Sequence, residues 1–183
     1  RRHHFPDKVN PTLVVVVSPW VFHLDSAHLP QIKVVSSPDI RWRYSDIKST
    51  SLLPTVLLRE KAHRQGAFDA WLTDNNGHIT EGASSNAYIV THEGVLVTRP
   101  YDGTFIPGVT RARLLTLAQE LNIKIEERYF TLDEVYNAAE AFISGATSLI
   151  KAVSHVDHKK INGGRVGPIT QALSKKYFEF FQN

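Results

Sequence analysis

Lys48 and Glu81 stand thirty-three positions apart in two short, distinctive contexts. The first is Arg41-Trp42-Arg43-Tyr44-Ser45-Asp46-Ile47-Lys48-Ser49, and the second is Thr80-Glu81-Gly82-Ala83-Ser84-Ser85-Asn86. Singly, a lysine or a glutamate is a solvated surface charge in most proteins. As chemistry, a lysine is a primary amine that condenses with an aldehyde and, once freed, moves protons. A glutamate stabilises a neighbouring cation, so it can hold a ring nitrogen in its protonated form. A third run, Phe105-Ile106-Pro107-Gly108-Val109-Thr110-Arg111, sets a glycine directly before a helical pattern. The first turn of such a helix offers free N–H groups and positive dipole to an anion, and Thr110 adds a hydroxyl. His155-x-x-His158 with Asp157 has metal-binding residue types, but it falls in an expected hairpin with no fourth ligand in reach. No metal is expected there.

The elements that must position these residues belong to an ordinary globular composition. Of the 183 residues, 42% are apolar and 21% charged, and the formal net charge is only +3. The basic residues are scattered, which argues against nucleic acid or a membrane surface as partner. There is no cysteine, which fits a reducing, cytoplasmic setting. The apolar run 13–17 is too short to span a bilayer and lacks the layout of a signal peptide. The sequence also has no methionine.

Residues 12–21 are β-branched and end near a proline, which predicts a buried strand. Short strands are expected at 32–38, 68–73, 78–81, 86–91 and 94–98, with residues 40–44 also extended. Asn75-Asn76-Gly77 and Glu93-Gly94 would turn two hairpins. Helical spacing covers 52–65, 109–121 and 169–181. Thr131 followed by Glu134 has the pattern of a capping box on a short helix at 132–136. Strands at 124–129, 140–144 and 149–154 complete the set, with a further hairpin through 162–164. Mixed strands without βαβ regularity and without GxGxxG argue against a dinucleotide-binding domain.

Together the runs around Lys48, Glu81 and Gly108 resemble the fold-type IV, pyridoxal 5′-phosphate (PLP)-dependent aminotransferases. The likeness is greatest to the D-amino acid (D-alanine) aminotransferases. The resemblance implies an α+β chain, the large C-terminal domain of that fold, with a mixed β pseudo-barrel flanked by helices. By the same comparison residues 1–22 are the last part of a small N-terminal domain, 23–31 a linker, and 32–183 the PLP-binding domain. Most of the small domain, including an arginine that grips the phosphate, would lie before Arg1.

The resemblance also assigns roles. Lys48 would form the Schiff base with PLP and then shuttle the proton at the substrate Cα. Glu81 would partner the pyridine nitrogen. Ser84, Ser85 and Asn86 would buttress the ring, and Ile106 would pack on one of its faces. Gly108, Val109 and Thr110 would cup the phosphate, joined by Ala146 through its backbone and Thr147 through its hydroxyl. The family often has serine where Ala83 stands, and Ser or Thr where Gly145 and Ala146 stand, so those hydroxyls are lost here. Arg1 and His3, in Arg1-Arg2-His3-His4-Phe5-Pro6, match an Arg-x-His motif that binds the substrate carboxylate across a homodimer. A guanidinium fork suits a carboxylate, and residues i and i+2 of a strand share a face. The implied reaction moves an amino group from a D-amino acid to a 2-oxo acid. A branched-chain L-aminotransferase, an aminodeoxychorismate lyase and a catalytically silent fragment are the alternatives. Trp42 and Trp71 are expected to pack in the core or beside the cofactor rather than to act in the chemistry.

Overall fold

A computed structural model describes residues 3–19 and 29–179. Its centre is a nine-stranded mixed sheet. The strands are β1 (Gln31–Pro38), β2 (Asp69–Thr73), β3 (Ile79–Gly82), β4 (Asn86–Val90), β5 (Leu96–Thr98), β6 (Ile125–Glu127), β7 (Glu140–Gly145), β8 (Leu149–Val156) and β9 (Lys159–Lys160). The order is β3-β2-β1-β8-β7-β4-β5-β6, with β9 added to β8. Four helices pack around it: α1 (Leu53–Arg64), α2 (Val109–Glu120), α3 (Leu132–Tyr136) and α4 (Pro168–Glu179).

Alternation along the strands sorts side chains between two faces. On β4, Ala87 and Ile89 join one core cluster while Tyr88 and Val90 join another. On β2, Trp71 enters the first cluster, and Ala70 and Leu72 pack with Leu58 and Ala62 of α1. The first cluster also takes Ile143, Val153 and Phe130. The second is where Leu114 and Leu117 of α2 meet Leu173 and Phe178 of α4 over Phe142. Trp71 is therefore core, as its sequence context implied.

Several local signals act as expected. Pro54 opens α1, where a missing N–H costs nothing, and Gly66 at φ +70° follows its end. The Thr131–Glu134 capping box is present in both directions. The hairpins β2–β3 and β4–β5 are antiparallel.

Four expectations need correction. The hairpin expected through 162–164 turns instead at 157–158, between β8 and β9, and Asn162–Gly164 form a single 3-10 turn. Of the strand expected over 12–21, residues 12–19 form none and 20–21 lie outside the described residues; the side chains of 13–17 are 73–91% exposed. A β-branched run becomes a strand only against a partner, and none lies beside it among the described residues. Residues 43–46 form a turn rather than an extension of β1, closed by Ile47 N–H to the Tyr44 carbonyl at 3.1 Å. The sheet also contains two strand–helix–strand crossovers, β1-α1-β2 and β5-α2-β6, each joining parallel neighbours. They are separated by antiparallel hairpins, so the fold remains α+β.

The start of α4 is held by a carboxylate from β7. Glu140, buried at the strand's beginning, accepts N–H bonds from Ile169 at 2.9 Å and Thr170 at 2.7 Å. A negative charge there satisfies orphan donors and complements the helix dipole. A Cβ on Gly167 would lie 2.0 Å from the Glu140 carboxyl carbon. Gly167→Ala should therefore displace the cap and cost roughly 1–3 kcal/mol, read as a melting point lower by several degrees. An unchanged melting point would show that the carboxylate can step aside freely.

Candidate active site

One cavity of about 540 Å³ gathers the residues picked out in the sequence. Lys48, Glu81, Ser84, Ser85, Asn86, Ile106, Gly108, Val109, Thr110, Ala146 and Thr147 all line it. They come from four segments: the β1–α1 loop, the β3–β4 corner, the approach to α2 and the β7–β8 turn. Lys48 is exposed to the cavity and makes no hydrogen bond or ion pair with any described residue. Its amine is thus free to react.

Glu81 sits at the opposite extreme of burial, with its side chain 5% exposed. Arg41 donates to Glu81 Oε1 at 2.5 Å, and Asn86 Nδ2 donates to Oε2 at 3.0 Å. The Ile106 backbone N–H reaches Oε1 at 3.3 Å. Burial pushes the Glu81 carboxyl up to about 7, against the downward pull of the Arg41 charge and of the Arg41 and Ile106 donors. The cavity therefore holds a carboxylate that gains when another cation arrives. A protonated ring nitrogen would be such a cation.

Arg41 is a site residue that the sequence reading did not single out. Its guanidinium forks onto Asp39, with Nε to Oδ1 at 2.9 Å and a terminal nitrogen to Oδ2 at 2.7 Å, while its other arm takes Glu81. Burial would raise Asp39, but the Arg41 hydrogen bonds and charge hold it below the usual carboxylate range. Arg41 is itself held more firmly protonated than usual, despite a burial penalty. Within a mixed charged run, nothing but the Asp39-x-Arg41 spacing hints at this.

The β3–β4 corner is shaped by another buried carboxylate. Asp69, fully buried on β2, accepts Ser85 Oγ at 2.7 Å and Ser84 Oγ at 3.3 Å. Arg59 of α1 approaches its other oxygen at 3.3 Å. A side chain at Gly82 would meet Ser85 Oγ at 2.3 Å and Asp69 Oδ2 at 2.8 Å. Only glycine leaves room for this corner. The two serine hydroxyls thus brace the wall from behind.

The start of α2 could hold an anion through its backbone. Gly108 is the N-cap of α2, no side chain caps the helix, and its first turn carries no acid. Gly108, Val109 and Thr110 line the cavity, so the helix start, where N–H groups lack partners within the helix, lies at its wall. Gly145 ends β7 and residues 146–148 turn into β8, and a Cβ on Gly145 would lie 2.6 Å from Ser148 Oγ. Ser144, one residue earlier, is buried and bonds Tyr88 Oη at 2.8 Å. An amine, a buried carboxylate and an uncapped helix start in one cavity fit a phosphorylated, ring-bearing aldehyde cofactor.

Other sequence readings fall outside this cavity. Arg1 lies outside the described residues, and His3 is exposed and does not line the cavity. The Asp157 carboxylate accepts the Ser36 N–H and the Tyr136 hydroxyl, both at 2.7 Å, and so serves the sheet rather than a metal. Trp42, 45% exposed, lines the cavity edge-on to Tyr44. Among the described residues no helix is long and apolar enough to cross a membrane.

Comparison with known proteins adds the family. A model of amino-transferase class IV matches residues 2–156. The D-alanine aminotransferase of Staphylococcus aureus (strain N315) is 35% identical over 185 residues, covering 100% of this chain and 64% of that protein. That of Bacillus licheniformis is 33% identical over 174 residues, covering 93% and 59%. The chain thus spans less than two thirds of the length of these relatives. Among solved structures, the Escherichia coli branched-chain amino acid aminotransferase matches with a TM-score of 0.78 and 33% identity, over 90% of this chain and 56% of that one. The PLP-form of the Thermobaculum terrenum branched-chain enzyme matches at 0.81 and 27% identity, over 88% and 54%. With the family model covering residues 2–156 of its 183, the chain belongs to the class IV aminotransferases.

Proposed function

We propose that this chain forms the cofactor-binding part of a PLP-dependent aminotransferase that works on a D-amino acid and a 2-oxo acid. The observation that carries the reading is the convergence of Lys48, Glu81 and the uncapped start of α2 on one cavity. PLP, when bound, supplies an aldehyde that takes up the amine and a ring that spreads negative charge away from Cα. The first turn of α2, with the Thr110 hydroxyl and Thr147, would hold its phosphate. Glu81 would hold a proton on the ring nitrogen, and Arg41 keeps the carboxylate aimed into the cavity. Lys48 Nζ would bind the aldehyde in the resting enzyme, then take the proton from the substrate Cα and return it one carbon further on.

Arg1 and His3 from a second copy are the proposed carboxylate ligands, which makes a homodimer with shared sites part of the reading. Kinship with D-alanine aminotransferases along the whole chain supports the D-amino acid as donor. The branched-chain enzymes among the structural neighbours favour a second reading, an L-branched-chain donor. Side-by-side assay of D-alanine and L-leucine with 2-oxoglutarate decides between them.

The class itself is tested by borohydride reduction of the purified protein with PLP, then peptide mapping. The expected result is a pyridoxyl mass on Lys48. An unlabelled Lys48, or label spread over surface lysines, would remove the reading.

A further inference from the structure

Asn86 opens β4 with a buried side chain whose one amide nitrogen serves two partners. Nδ2 donates to Glu81 Oε2 at 3.0 Å and to the Ile106 carbonyl at 3.0 Å. The Ile106 N–H in turn donates to Glu81 Oε1 at 3.3 Å. Glu81, Asn86 and Ile106 therefore close a ring of hydrogen bonds. On its other side, Asn86 lies so near Gly108 that a Cβ there would come within 2.4 Å of Oδ1. Gly108 is the residue that starts α2. The absent side chain lets the asparagine pack against the helix start.

The geometry points to Asn86 as a positioning residue that locks the Glu81 carboxylate to the Ile106–Gly108 segment. The partner of the ring nitrogen and the turn that receives the phosphate are then held at one fixed spacing. This deepens the PLP reading above and rests on it. An asparagine suits the task because its NH₂ carries two donors, one for each acceptor. Aspartate cannot donate when ionised, and it would set a second negative charge against Glu81. Serine has one donor and a shorter reach. The clamp also explains an arrangement with no use for packing alone: a buried amide between a carboxylate and a loop carbonyl specifies a distance. A misplaced ring or phosphate costs affinity even when every direct ligand remains.

The test uses the purified protein and three variants: Asn86→Ala, Asn86→Asp and, as a control, Glu140→Gln at the α4 cap. Three quantities are read: the pyridoxyl label on Lys48, the dissociation constant for PLP, and the midpoint of the ¹³C-labelled Glu81 carboxyl in cofactor-free protein. Asn86→Ala should still label at Lys48 when PLP is saturating, yet bind PLP roughly 10- to 100-fold more weakly. Its Glu81 midpoint should rise, since a donor to the carboxylate is gone while Arg41 and Asp39 remain the charged groups beside it. Asn86→Asp should move that midpoint further in the same direction. Glu140→Gln should lower stability without moving either quantity. If Asn86→Ala binds PLP like the parent with an unmoved midpoint, the clamp is wrong. An equal response from Glu140→Gln would assign the effect to general softening and overturn it too. If the parent protein itself fails to label at Lys48, the PLP reading falls, and the Glu81 midpoint still judges the clamp.

Discussion

Lys48→Ala should abolish measurable transamination, a loss of at least roughly 1,000-fold in kcat, while leaving the melting curve where it was. The two halves of that expectation have separate causes. Lys48 is exposed in the β1–α1 loop with no described hydrogen-bond or ion-pair partner, so removing it deletes no packing. Surface changes of that kind shift stability by only about 0.5 kcal/mol. The chemistry is another matter, because the same amine is proposed both to hold the aldehyde and to carry the proton at Cα. Positioned proton transfer alone contributes roughly 100- to 10,000-fold. Lys48→Arg separates the roles from mere charge: it keeps the cation but offers no amine that is neutral at working pH. It should be as inactive as the alanine variant. Partial rescue of Lys48→Ala by a small added amine, saturable and rising with pH, is expected from the freed volume. Activity retained at a tenth of the parent's in either variant would place the chemistry elsewhere in the cavity.

Much of this site was legible because its residues act through backbone-adjacent features. Lys48, Glu81 and the Gly108-Val109-Thr110 start of α2 each sit in a short run whose chemistry is local, and all reach one cavity. What binds them together was not legible. Arg41 becomes a site residue only because β1 and β3 lie on either side of β2, bringing residues 41 and 81 into contact. Asn86 could be expected in the site, but its double donation to Glu81 and Ile106 depends on where the 99–108 loop returns. Asp69 reads in the sequence only as part of a strand, and its fully buried carboxylate, bonded to Ser84 and Ser85, is a tertiary fact. The same limit explains the fold. Two hairpins announced themselves through Asn76-Gly77 and Glu93-Gly94, whereas the parallel pairing of β1 with β8 joins residues more than a hundred positions apart. The run 13–17 shows the converse, since strong β propensity without a partner yields no strand.

Glu81→Gln is expected to slow the reaction roughly 100- to 1,000-fold while making the cofactor-free protein more stable above neutral pH. The rate effect follows from losing one preorganised charge at the ring nitrogen, a contribution of the size seen when a single electrostatic contact is removed. The stability effect follows from the raised carboxyl. Burial lifts Glu81 from an ordinary 4.5 to about 7, so the folded chain holds that proton more tightly than the unfolded chain. Between those two values the native state binds more protons, and stability falls as pH rises. Above pH 7 the full penalty remains, about 3 kcal/mol from a shift of this size. A glutamine carries no such titration. Its amide does bring one conflict, because its own NH₂ must face either the Arg41 guanidinium or the Asn86 amide, both donors. That offsets part of the gain but does not vary with pH. Urea denaturation of both proteins at pH 4.5 and pH 8 isolates the titrating part. The parent should lose about 3 kcal/mol more than Glu81→Gln across that interval. Parallel losses would mean that Arg41 holds Glu81 ionised throughout, and that the carboxylate reaches its charged state without help from a bound cation.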